Sequence, residues 1–121
     1  NQGSLWVGTD GGGISRADRN RKQFLLLTHE RGNPNSLSHD NVGPILEDNH
    51  GNIWIGTYGY GVDVLDRKES LFTHYSHNER DNRSLSHNSV TSIYQDARNS
   101  IWVTTLNGLN RFELSTKSFV R

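Results

Sequence analysis

The stretch Gly51-Asn52-Ile53-Trp54-Ile55-Gly56-Thr57 decides the reading of this chain, because it occurs three times. It stands upstream as Gly3-Ser4-Leu5-Trp6-Val7-Gly8-Thr9 and downstream as Asn99-Ser100-Ile101-Trp102-Val103-Thr104-Thr105, a period of 48 residues. Laying residues 1–48 over 49–96 without a gap gives 18 identities. They fall on structural residue types: Gly11/Gly59, Gly13/Gly61, Phe24/Phe72, Leu37/Leu85, Val42/Val90 and Ile45/Ile93. The third copy loses one residue near Asn107, after which the register continues with Gly61/Gly108 and Phe72/Phe119. A period of 40 to 50 residues made of short strands marks propeller blades or a related array.

Within one copy the apolar pattern predicts four strands: Ile53–Thr57, Val62–Leu65, Leu71–Tyr75 and Ser89–Gln95. Short strands separated by Gly- and Asn-rich turns mean antiparallel hairpins, and no window carries a capped helical period. The fold class is therefore all-β. The chain holds about two and a half propeller blades of four antiparallel strands, an incomplete propeller segment with repeats at approximately 1–48, 49–96 and 97–121. The innermost strands are expected at Val42–Glu47 and Val90–Gln95, which gives three strands in the first blade and four in each of the next two, eleven in all.

The turns are chemically specific. Gly51 is expected in a left-handed turn conformation, and its equivalent Asn99 is the next most tolerant residue for that region. Asn107 stands where Gly11 and Gly59 stand and is expected to keep their backbone conformation. Gly8 and Gly56 lie within the tryptophan strand, where a missing side chain lets a neighbouring blade approach closely. Thr104 replaces them in the third copy, so that site is expected to be roomier. The three tryptophans read as fillers of blade interfaces. The loop Ser36-Leu37-Ser38-His39-Asp40-Asn41-Val42 returns as Ser84-Leu85-Ser86-His87-Asn88-Ser89-Val90, with Leu37 and Leu85 as pegs into the core and Ser and Asn satisfying local backbone groups.

Composition excludes several classes of function. Lys+Arg and Asp+Glu are equal at 13 each, which argues against a nucleic-acid surface. The cluster Arg16, Arg19, Arg21, Lys22 is interrupted by Asp18 and reads as a solvated turn. No apolar stretch approaches the roughly 18–20 residues of a spanning helix. With no cysteine there is no disulfide, thiolate zinc site or thiol catalysis. The chain opens at Asn1 and contains no methionine, and it reads as a segment of a longer protein.

The order Gly51-Asn52-Ile53-Trp54-Ile55-Gly56-Thr57-Tyr58-Gly59-Tyr60-Gly61-Val62, then Asp66-Arg67, Phe72-Thr73-His74-Tyr75, Ser84 to Val90 and Ile93-Tyr94-Gln95-Asp96 resembles the two-component regulator propeller repeat. The resemblance covers essentially the whole chain; Asn99, Ser100 and Thr104 depart from the usual letters of the third copy. It implies the periplasmic sensor region of a bacterial hybrid histidine kinase, diguanylate cyclase or transcriptional regulator. Such regions are followed by an immunoglobulin-like domain, a membrane span and a cytoplasmic output domain.

Most chemistry-bearing residues are locked to that repeat. Gly11-Gly12-Gly13 lacks the lysine and helix of a phosphate loop and reads as a hairpin turn. His29/His77 and His39/His87 recur at the repeat spacing, so each pair occupies equivalent places on different blades and reads as loop hydrogen bonding, not as a metal site. Asp48/Asp96 and Ser36/Ser84 are likewise locked to the repeat, leaving no acid–base pair or activated nucleophile, and no cofactor is implied. What varies between copies is the turn after the tryptophan strand: Asp10-Gly11-Gly12, Tyr58-Gly59-Tyr60 and Leu106-Asn107. Asp10, Tyr58, Tyr60 and Asn107 are the ligand-binding candidates, with the two tyrosines suited to stacking on a sugar ring while their hydroxyls hydrogen-bond.

The expectation is a non-enzymatic sensor that recognises a ligand, a carbohydrate by the resemblance, and signals to an output domain. The alternatives are a scaffold or dimerisation module without a ligand, and part of a propeller lyase or glycosidase. Two and a half blades cannot close a ring alone, so the chain is also expected to self-associate through open blade edges, two chains giving about five to six blades or three giving about seven to eight.

Overall fold

The computed structural model describes residues 4–9, 13–18 and 23–121, with side chains from Thr28 onward. The described residues form eleven strands and no helix. Blade one contains β1 (Ser4–Thr9), β2 (Gly13–Asp18) and β3 (Gln23–Leu27). Blade two contains β4 (Val42–Glu47), β5 (Ile53–Thr57), β6 (Val62–Asp66) and β7 (Leu71–Tyr75). Blade three contains β8 (Val90–Gln95), β9 (Ile101–Thr105), β10 (Gly108–Glu113) and β11 (Ser118–Val120). Each blade is an antiparallel meander in sequence order. The innermost strands match the expected bounds, and both bend at the same place: register shifts lie between Val42 and Ile45 and between Val90 and Ser92.

Burial along β5 follows from stacking blades on both sides. All five residues, Ile53 to Thr57, are buried, although alternate side chains point to opposite faces. Ile53 and Ile55 join Leu37, Val42 and Leu65 in one apolar cluster. Trp54 joins Val62 of its own blade and Val90, Ile93, Ile101 and Val103 of blade three in another. In β9 only Ile101, Val103 and Thr105 are buried; Trp102 and Thr104, on the face away from blade two, are half-buried. Leu37 and Leu85 are fully buried, as the peg reading requires.

Trp54 and Trp102 are packing residues with a fixed hydrogen bond. Trp54 Nε1 donates to Asp48 Oδ2 at 2.9 Å, while Asp48 Oδ1 accepts the backbone N–H groups of His50 and Asn52. Trp102 repeats this with Asp96 at 2.7 Å. Gly51 (φ 84) and Asn99 (φ 66) both take the left-handed conformation in these turns. Asn107 does not. In the shortened turn of blade three the positive φ passes to Gly108 (φ 117), the equivalent of Gly61 (φ 85), because losing one residue removes the point at which Gly59 (φ 103) reverses the chain. Thr104 stands beside Ser92, where blade two has Pro44; its Oγ1 lies 2.6 Å from Ser92 Oγ and 2.7 Å from Thr91 Oγ1.

Candidate functional site

The meander fixes which loops share an end. Turns 48–52 and 67–70 of blade two lie at one end of the strands; turn 58–61 and the long loops 28–41 and 76–89 lie at the other. At that second end, Gly59 N and Gly61 N donate to the carbonyl of Asn88, and Leu106 N donates to the carbonyl of Ser89. Loop 76–89 therefore ties the variable turn of blade two to the variable turn of blade three. Only glycine fits at position 61, since a Cβ there would meet the Tyr75 carbonyl at 2.1 Å.

Three of the four candidate residues are gathered at this end. Tyr58 and Tyr60 are each about half exposed, at 53% and 49%. The Tyr58 ring lies over Gly43 of β4, whose absent side chain makes the room: a Cβ there would be 3.0 Å from the Tyr58 hydroxyl. Tyr60 stacks on His39 of loop 28–41, ring centroids 4.4 Å apart and planes within 6°. Asn107 is exposed, but its amide reaches the carbonyl of Ser86 at 3.4 Å and its backbone N–H donates to Thr105 Oγ1, so it ties its turn to loop 76–89. Asp10 lies outside the described residues.

The recurring histidines bind their own loops. His29 Nδ1 lies 2.6 Å from the carbonyl of Leu37 and His77 Nδ1 2.8 Å from that of Leu85, while His39 and His87 accept the N–H groups of Asn41 and Ser89. Among the described residues no group of three His, Asp or Glu side chains is placed to hold a metal ion.

One cluster escaped the sequence reading. Asp63 of β6, fully buried, accepts the Ser38 backbone N–H at 2.7 Å, the Ser38 hydroxyl at 2.6 Å and His74 Nδ1 at 2.6 Å. His74 Nε2 in turn lies 2.6 Å from the Pro34 carbonyl. The residue types are those of a hydrolase triad, but the connectivity is not. Ser38 gives its proton to Asp63, the same histidine nitrogen faces both partners, and the other nitrogen is occupied by backbone, so no base is free to activate the serine. Burial opposes charge on His74. The hydrogen bonds to Asp63 and Pro34 and the negative charge of Asp63 outweigh it and raise the pKa above the usual 6.5. The cluster was legible as a break in the repeat: Ser15, Asp63 and Asn110 are equivalent, as are Leu26, His74 and Arg121.

A cleft of about 360 Å³ lies between blades two and three at the opposite end, lined by Trp54, Tyr75, Phe112, Asp48, Asp66 and Gln95 among others. Asp48 and Asp66 are bonded within their own turns, whereas Gln95 bridges the blades: its Oε1 accepts the Asn49 N–H at 3.1 Å and its Nε2 donates to Asn49 Oδ1 at 3.0 Å.

Residues 36–59 and 84–107 each match the family described as two component regulator propeller. These two segments are two-component regulator propeller repeats. Each matched segment of this propeller begins in the serine loop and runs through the innermost and tryptophan strands to the variable turn. The propeller is similar in structure to the extracellular domain of BT4673 from B. thetaiotaomicron in two crystal structures. One, described as a one component system, has a TM-score of 0.73 at 21% identity over 99% of this chain and 14% of that one. The other, described as a hybrid two component system, has a TM-score of 0.73 at 24% identity over 98% of this chain and 17% of that one. The extracellular domain of BT3049 from B. thetaiotaomicron, described as a hybrid two component system, has a TM-score of 0.61 at 23% identity over 98% of this chain and 22% of that one. The propeller segment thus spans between a seventh and a quarter of these domains. A sequence comparison with curated proteins gave no match.

Proposed function

We propose that this chain is part of an extracytoplasmic, membrane-anchored bacterial sensor, that it contacts a carbohydrate through the Tyr58–Tyr60 turn, and that it passes the resulting change to an output domain. The observation that carries the reading is the half-exposed tyrosine pair on a turn that breaks the repeat while its backbone is pinned by Asn88. A rigid turn presenting amphipathic rings contributes contact area at low entropic cost and offers hydroxyls to sugar oxygens. His39 covers one face of Tyr60, and the remaining tyrosine surface is accessible. The regulator family and the extracellular description of the similar domains support the placement and the signalling role. The test is a glycan array followed by calorimetry on the complete sensor. Tyr58→Ala with Tyr60→Ala abolishes binding and leaves Tm within a few degrees; unchanged binding assigns the pair to packing and refutes this site.

We also propose that a chain consisting of these blades alone self-associates. β1 stands at the edge of a three-stranded sheet, and Trp102 and Tyr94 stack on a half-exposed face of blade three. Both are surfaces that propeller neighbours cover, and an open strand edge recruits another chain.

A further inference from the structure

We propose that His74 is a proton-operated clamp: protonated, it tethers the Pro34 segment of loop 28–41 to blade two, and neutral, it gives up that tether while the Ser38–Asp63 bonds remain. The geometry requires two protons on the ring: Nδ1 faces the Asp63 carboxylate and Nε2 faces the Pro34 carbonyl, each at 2.6 Å. A carboxylate and a carbonyl are both acceptors, so only an imidazolium satisfies both contacts. Neutral imidazole keeps one N–H. Buried Asp63 retains it on Nδ1, because the charge-assisted bond is the stronger one. The proton from Nε2 goes to solvent, and a lone pair is left facing the Pro34 oxygen. The loop then loses one of its tethers to the blade.

Blade three supplies the comparison within the same molecule. Asn110 replaces Asp63 and binds Ser86 through its amide, and Arg121 replaces His74. Arg121 donates to the carbonyls of Ser84 and Asp81, so loop 76–89 is held by a cation that does not titrate. Four of the other five histidines pair off, His29 with His77 and His39 with His87, in matching contacts, and His50 lies in the turn at the opposite end of the blade. Charged groups facing His74 are Asp63 from β6 and, across a shared cavity, Asp81 and Arg83 from loop 76–89 and Lys117 from blade three; loop 28–41 itself carries Glu30, Arg31 and Asp40. Loop 28–41 carries His39, the stacking partner of Tyr60, so release of the clamp also loosens one side of the tyrosine turn. That last consequence for binding rests on the carbohydrate reading; the clamp itself does not.

The experiment is amide hydrogen exchange on the full-length protein from pH 5.5 to 8.5, reading protection of residues 33–38 relative to 81–86. The ratio cancels the intrinsic pH dependence of exchange. It is expected to fall roughly tenfold as pH rises, the scale of one hydrogen bond to a charged group. His74→Arg, which installs the blade-three residue, is expected to flatten it with the loop protected. Asp63→Asn is expected to lower the titration midpoint of His74 followed by NMR. A flat ratio in the wild type, a fall that survives His74→Arg, or a wild-type midpoint at or below 6.5 overturns the clamp. If the ratio falls while glycan affinity is independent of pH, the clamp stands and its link to the tyrosine site fails.

Discussion

Gly56 and Val90 face each other across the junction of blades two and three with no room for a side chain between them. A Cβ on Gly56 would lie 2.7 Å from Val90 Cγ1 and 2.8 Å from Pro44 Cγ. Val90 is fully buried, and Pro44 is held by the bulge in β4, so neither neighbour yields cheaply. Gly56→Ala is expected to destabilise the protein by about 1–3 kcal/mol, the usual range for overpacking a filled interior. The midpoint of urea unfolding checks it. A variant as stable as the wild type means that the blades can slide apart without loss.

Asp96 gives a pH dependence of known sign. The Trp102 indole N–H, then the Ser100 N–H, with smaller help from the Arg98 N–H and charge, hold its carboxyl below the usual 3.8 despite some desolvation. A carboxyl with a depressed folded-state pKa stabilises the fold above its unfolded value, and that stabilisation is lost as pH falls through the folded value. Wild-type Tm is therefore expected to drop below about pH 4 with a steeper slope than that of Asp96→Ala. Parallel acid limbs for the two proteins contradict the assignment.

Asn99 occupies the left-handed position that Gly51 occupies one blade earlier. Asn99→Gly is expected to be nearly neutral, whereas Asn99→Ala costs about 1 kcal/mol because its Cβ crowds the backbone at positive φ. Paired thermal melts separate the two, and equal losses would show that the side chain of Asn99, not its backbone, matters.

Sedimentation equilibrium of the isolated chain at micromolar concentration tests assembly. Dimers or trimers are expected, with Trp102→Glu shifting the distribution to monomer, since a charge cannot be buried at a blade junction without a partner. A compact, cooperatively melting monomer of the unmodified chain refutes self-association.

The sequence by itself determined the blade. A 48-residue period, alternating apolar residues and glycine or asparagine at the turns set the strand bounds of β4 and β8, the meander order, the pegs Leu37 and Leu85 and the close approach at Gly56. These are legible because each repeat meets the same local constraint, and a repeated constraint leaves repeated letters. Tertiary structure decided what the repeat does not enforce. Asp63 and His74 are eleven residues apart on neighbouring strands, and Pro34 and Ser38 arrive from a loop that precedes the blade, so the break in the repeat marks the two positions but not that all four residues meet. The backbone of Asn107 likewise depended on where a shortened turn placed its reversal, which Gly108 supplies. Periodicity reports contacts shared by every blade. The contacts peculiar to one blade are set by which side chains the folded chain brings together from distant positions.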